Sequence, residues 1–149
     1  MREALALAGA SVREGGGPFA ALVVRDGEVI GRGTNRVTAT NDPTAHAEVQ
    51  AVRAACAALG TFGLEGCEVY CSCEPCPMCL GALYWARVDR VYFAGTRADA
   101  AAAGFDDERL YRELAAPLAE RSLPMTRLLP EEAAAPFGAW AAEPDRRPY

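Results

Sequence analysis

A chain of 149 residues carries a formal net charge of −5, and 51% of its residues are apolar. That size suits one domain around one core. No apolar run is long enough to span a bilayer, and the acidic balance speaks against a nucleic-acid partner, whose phosphates need a basic surface. Met1 to Gly9 is a short amphipathic stretch with Arg2 and Glu3. It lacks the basic start and long apolar middle of a secretory leader, so a cytoplasmic location is expected.

In chain order, the N-terminal helical stretch breaks at Gly15-Gly16-Gly17-Pro18. Phe19 to Val24 reads as a strand, Asp26-Gly27 as a hairpin turn and Val29 to Gly33 as the returning strand. Asn41-Asp42-Pro43-Thr44 predicts a helix start, with Asp42 or Thr44 as cap. The helix that follows carries Ala45, Val49, Val52, Cys56 and Leu59 on one stripe and stops at Gly60 and Gly63. Glu68 to Cys71 is a short strand. Glu74-Pro75-Cys76-Pro77 opens a second helix running to about Arg87, with Trp85 read as core. Arg90 to Ala94 is a strand, Asp106 to Ala119 a helix, Met125 to Leu129 a last strand and Glu131 to Ala142 a terminal helix. A hairpin followed by alternating helices and strands predicts a layered α/β domain. The polar, Pro-containing tail from Glu143 to Tyr149 adds nothing to its core.

Four of the six cysteines crowd into Cys71, Cys73, Cys76 and Cys79. In a reducing compartment such clustering points to metal binding or catalysis rather than to disulfides. Cys56 and Cys67 read as small buried apolar residues.

The informative pieces are His46-Ala47-Glu48 and Pro75-Cys76-Pro77-Met78-Cys79. One imidazole and two thiolates leave a fourth position open, the pattern of a catalytic zinc site. Each piece lies at a predicted helix N-terminus, where free N–H groups and the helix dipole favour thiolate over thiol. His46 is the single histidine of the chain. With it on the metal, acid–base work falls to a carboxylate, and Glu48 is the nearest in sequence.

His-x-Glu followed by Pro-Cys-x-x-Cys is the signature of the zinc-dependent nucleobase deaminases. The likeness extends beyond it. Asn41 to Glu48, Ser72 to Ala82, Tyr84-Trp85-Ala86-Arg87, Gly104-Phe105-Asp106-Asp107 and the tail with Phe137, Trp140 and Tyr149 resemble the bacterial guanine deaminases of the cytidine-deaminase-like superfamily. Cys71 departs from the pattern, standing where Thr is common.

The resemblance implies a three-layer α/β/α sandwich around a mixed five-stranded sheet. Residues 1–142 would form the deaminase domain and 143–149 a tail closing the active site. It implies one Zn2+ per chain on His46, Cys76 and Cys79, with Glu48 as proton shuttle. Asn35 and the Ala47 N–H would hold the base, Phe19 would pack on its face, and Asp107 and Tyr149 would complete recognition. The substrate would be a small nucleobase or nucleoside, guanine first, and the chain would form a homodimer with C-terminal segments contributing to the site.

Other readings of the same residues stay open at this point. The chemistry also fits guanosine, cytosine, cytidine or an aminotriazine, or adenosine in tRNA. Cys73, Cys76 and Cys79 form part of an iron–sulfur pattern, and Cys73 as fourth ligand would make a non-catalytic zinc module. Asp106 and Asp107 also suit a helix cap, Phe19 a core position and Tyr149 a frayed end.

Overall fold

Residues 1–148 are described by a computed structural model of the chain. It divides into two units, Met1–Glu108 and Arg109–Tyr149. Tyr149 itself, and with it the expected substrate contact there, lies outside the described residues.

The first unit begins with α1 (Arg2–Arg13) and the hairpin β1 (Ala20–Arg25) and β2 (Glu28–Thr34). Asp26 and Gly27 join the strands with φ of 50° and 82°. Positive φ at both central residues matches the twist of the flanking strands, which is why Asp-Gly signalled the turn. Next come α2 (Val37–Thr40), α3 (Ala47–Leu59), β3 (Cys67–Cys73), α4 (Pro77–Ala86), β4 (Arg90–Gly95) and α5 (Arg97–Ala102). The strand order is β2-β1-β3-β4. β1 is antiparallel to both neighbours, and β3 and β4 are parallel, joined by the crossover helix α4.

Strand alternation sorts the sheet into two faces. Ala21, Val23, Cys67, Val69 and Cys71 turn toward α3 and α4 and form the core with Ala47, Ala51, Ala55 and Leu83. On the opposite face Arg32 meets Glu3 of α1 at 2.8 Å, and Ala4 and Ala8 of that helix are buried. The result is the expected α/β/α sandwich.

The contact between β2 and α3 is made almost without side chains. A Cβ on Gly33 would collide with the Ala47 carbonyl and stand 2.5 Å from the Ala51 nitrogen, and one on Gly31 would stand 2.5 Å from the Ala51 carbonyl. Two glycines on the strand and alanines at every fourth helix position let backbone rest on backbone. The first turn of α3, with His46 and Glu48, is thereby set directly on the sheet.

Several expectations are corrected. Among the described residues the sheet has four strands, not five. Met125 to Leu129 is irregular and exposed, because a five-residue segment becomes a strand only when a neighbour completes its ladder, and it has none among the described residues. Asp42 does not start α3. Its carboxylate accepts bonds from the Thr44 N–H and hydroxyl at 2.8 and 2.6 Å, closing a local turn, and His46 is the N-cap residue. Trp85 is 67% exposed, since Leu83 and Ala86 occupy the core side of α4.

The second unit holds α6, which begins at the boundary (Glu108–Ala115), a 3-10 turn (Leu118–Glu120) and α7 (Ala134–Ala142). The helix expected over 106–119 stops at Ala115 because Pro117 cannot donate to the ladder. Its turn is tied by Arg109 to the Ser122 hydroxyl (3.0 Å) and by the Ser122 N–H to Glu113 (2.8 Å). Neither helix buries a described residue, and Leu114, Phe137 and Trp140 are exposed.

Candidate active site

Both metal-ligand pieces are built the same way. His46 caps α3 with φ −69° and ψ 155°, and Cys76 caps α4 with φ −64° and ψ 167°. An extended N-cap turns its side chain off the helix axis, across the helix end. Pro77 at the first position of α4 pre-sets the turn that brings Cys79 back beside Cys76.

The His46 Nδ1 lies 3.6 Å from the Cys76 Sγ and 3.5 Å from the Cys79 Sγ. All three donor atoms fall within 4.8 Å of one another. Zinc bonds of about 2.3 Å to sulfur and about 2.0 Å to nitrogen at the tetrahedral angle separate S from N by about 3.5 Å. The donor set and its spacing therefore fit tetrahedral zinc with one position left for a non-protein ligand. Cys73 is not in the cluster; its thiol donates to the Thr96 carbonyl at 3.4 Å. That removes the support for a four-ligand structural site and for an iron–sulfur arrangement.

Glu48 is the buried carboxylate of the site, 6% exposed. The Cys79 thiol donates to its Oε2 at 3.3 Å. Two residues from His46, it stays in the first turn of α3, where both side chains reach the Cys79 sulfur. Burial raises the Glu48 carboxyl above its ordinary range, which suits a group that must both take and return a proton. Cys76 is lowered to about 4, first by its contact with Cys79 and then by His46 beside it. The Cys79 thiol is raised, chiefly because it keeps the proton that the pair shares. Contact with Cys76 raises His46. Cys71 is fully buried in the core; burial, and then the Glu48 charge, push its thiol up.

Of the residues assigned to the base, Ala47 follows His46 directly, and Asn35 and Phe19 pair with each other. Ala47 is fully buried at the first position of α3, where its N–H has no acceptor within the helix. The Asn35 N–H donates to the Phe19 carbonyl at 3.2 Å, prolonging the hairpin ladder and pairing these two residues. The Asn35 side chain accepts from the Val37 N–H at 3.3 Å, and a Cβ on Gly17 would touch both Asn35 and Phe19. Asp107 is raised, first by partial burial and then by the charge of Cys76. Asp106, not Asp107, takes the capping role, accepting from the Glu108 N–H at 3.0 Å. One aromatic wall was missed by the sequence reading: Phe105 packs on Phe19 with ring centroids 4.9 Å apart and planes at 87°. Its only sequence signal was an aromatic between Gly104 and the Asp pair.

Known proteins agree with this geometry. Residues 1–95 match the cytidine and deoxycytidylate deaminase zinc-binding region. The chain is 49% identical to the guanine deaminase of Bacillus subtilis (strain 168) over 150 aligned positions, covering 100% of this chain and 96% of that one. The crystal structure of the Bacillus subtilis guanine deaminase superposes with a TM-score of 0.97 over 99% of this chain and 95% of the other. A tRNA-specific adenosine deaminase of Aquifex aeolicus (strain VF5) is 43% identical but covers 63% of this chain and 62% of its own length. With the zinc-binding motif matched over more than half its length and a relative aligned from end to end, the chain belongs to the cytidine and deoxycytidylate deaminase family of zinc enzymes.

Proposed function

We propose that this enzyme hydrolyses guanine to xanthine and ammonia. The position of Glu48, buried and within 3.3 Å of a metal-ligand sulfur, carries the reaction class. The end-to-end likeness to a guanine deaminase, including the segment after residue 95, favours guanine. His46, Cys76 and Cys79 hold one zinc ion. When bound, the metal acts as a Lewis acid and makes water a nucleophile near neutral pH. Glu48 accepts a proton from the attacking water and gives it to the ring nitrogen beside the amino-bearing carbon. It then carries the second water proton to the amino nitrogen, which leaves as ammonia. Asn35 and the Ala47 N–H hydrogen-bond the base, Phe19 stacks on it and Asp107 pairs with its edge.

The experiment is an ammonia-release screen over guanine, guanosine, cytosine, cytidine, an aminotriazine and adenosine in tRNA. Guanine should give the highest kcat/KM. A pyrimidine or nucleoside preferred over guanine would keep the chemistry and replace the substrate.

We further read the protein as cytoplasmic and as a homodimer. Six unbridged cysteines suit a reducing compartment, and no helix among the described residues is long and apolar enough to cross a membrane. Exposed Leu114, Phe137 and Trp140 give the C-terminal helices apolar faces that a second copy would cover. The resemblance to guanine deaminases also assigns residues 143–149 to closing the active site against water. Deleting residues 143–149 should leave fold and zinc intact and lower kcat/KM on guanine about tenfold, the scale of one good contact. Unchanged steady-state kinetics would remove the tail from the site.

A further inference from the structure

The segment between β4 and α6 is short, yet it is pinned along its length. At its start, the Glu74 N–H donates to the Gly95 carbonyl at 2.8 Å, and the Arg97 N–H donates to the Glu74 carboxylate at 3.2 Å. Cys73 reaches Thr96 from the same stretch of chain. All three tether it to the residues just before Cys76. Thr96 and Asp99 then form a reciprocal capping box at the head of α5. At its tail Gly104 adopts φ +91°. The Phe105 N–H bonds the Ala100 carbonyl at 2.9 Å, and the Gly104 N–H bonds the Ala101 carbonyl at 2.9 Å. This is the paired closure of a Schellman motif, with Phe105 as the residue just past the turn. Both ends of α5 are therefore closed, and the direction in which Phe105 leaves it is set by backbone bonds.

That direction carries the ring onto Phe19. The near-perpendicular arrangement at 4.9 Å is the edge-to-face geometry aromatic quadrupoles favour. Phe105 is 45% exposed, so it is not a core filler, and its main aromatic neighbour is the residue read as the stacking wall. Asp107, read as a substrate contact, follows two residues on. One pinned segment thus starts at the metal-ligand loop and ends on the wall.

We propose that Phe105 is a positioning residue for substrate: its ring, aimed by the α5 closure, fixes the plane of Phe19 so that Phe19 stacks on the base. This rests on the reading of Phe19 as the stacking residue, and acts on binding of the base rather than on proton transfer.

The test uses the full-length, zinc-loaded enzyme with guanine. Phe105→Leu removes the ring and keeps the bulk. It should raise KM about tenfold, the order of one lost aromatic pair, and leave kcat within about threefold. Zinc content and Tm should not move. Phe105→Tyr should restore KM. Phe19→Leu should raise KM at least as much, and the double variant should be no worse than Phe19→Leu alone, because Phe105 acts through Phe19. A raised KM in Phe19→Leu with a normal KM in Phe105→Leu would overturn the role of Phe105 and leave the stacking wall standing. A normal KM in Phe19→Leu would overturn the wall and the proposal together, while guanine turnover itself would still support the assigned reaction. A lowered Tm and kcat in Phe105→Leu at unchanged KM would show a structural role only.

Discussion

Glu48→Gln is expected to give a folded, zinc-loaded enzyme that turns over guanine about two to four orders of magnitude more slowly than the parent. The substitution is nearly isosteric. It keeps an oxygen available near Cys79 and removes the group that takes the water proton and returns it. The carboxylate is buried, so bulk water has poor access to replace it. Single-turnover kinetics and zinc analysis check the result together. Substrate affinity should change little, because the lost interaction belongs to the transition state. Turnover within a factor of a few of the parent would dismiss Glu48 as proton shuttle.

The second large effect concerns the metal. Cys76→Ala should take the zinc content from about one per chain to near zero, abolish ammonia release and lower Tm through lost ligand binding. Cys73→Ser, three residues away, should keep the metal. The structure separates the two: Cys76 stands 3.6 Å from the His46 Nδ1, whereas Cys73 is engaged with Thr96. Metal analysis on both proteins decides the assignment, and zinc retained in Cys76→Ala but lost in Cys73→Ser would reverse it.

What was legible in the sequence was whatever local chemistry dictates. Asp26-Gly27 announced its turn because few other pairs accept positive φ twice. Pro77 and the cysteine spacing placed a helix start at the metal. The first turn of α3 was legible as a site, yet its cap was misread, because Asp42 satisfies its local hydrogen bonds in a turn of its own and leaves His46 to cap. The short helices α2 and α5 escaped notice. At four and six residues neither shows the 3.6-residue period that marks a longer helix. The expected fifth strand failed for a different reason. Pairing is a property of two segments, and the sequence of Met125 to Leu129 says nothing about its neighbour. Phe105 shows the same limit at the site, since its meaning lies in contact with a residue 86 positions earlier in the chain (105 minus 19).

The glycine–alanine seam between β2 and α3 has a consequence for how such an enzyme can diverge. Where Gly31 and Gly33 meet Ala47, Ala51 and Ala55, no side chain is larger than a methyl, so the seam offers almost no room for gradual change. The turn holding His46 and Glu48 is locked to the sheet, and new specificities must arise elsewhere. The match to the shared zinc-binding region ends at residue 95, where the segment bearing Phe105 and Asp107 begins. Directed evolution toward other amino-substituted rings would accordingly draw its useful diversity from residues 96–107. Libraries placed on the seam would return mostly misfolded protein.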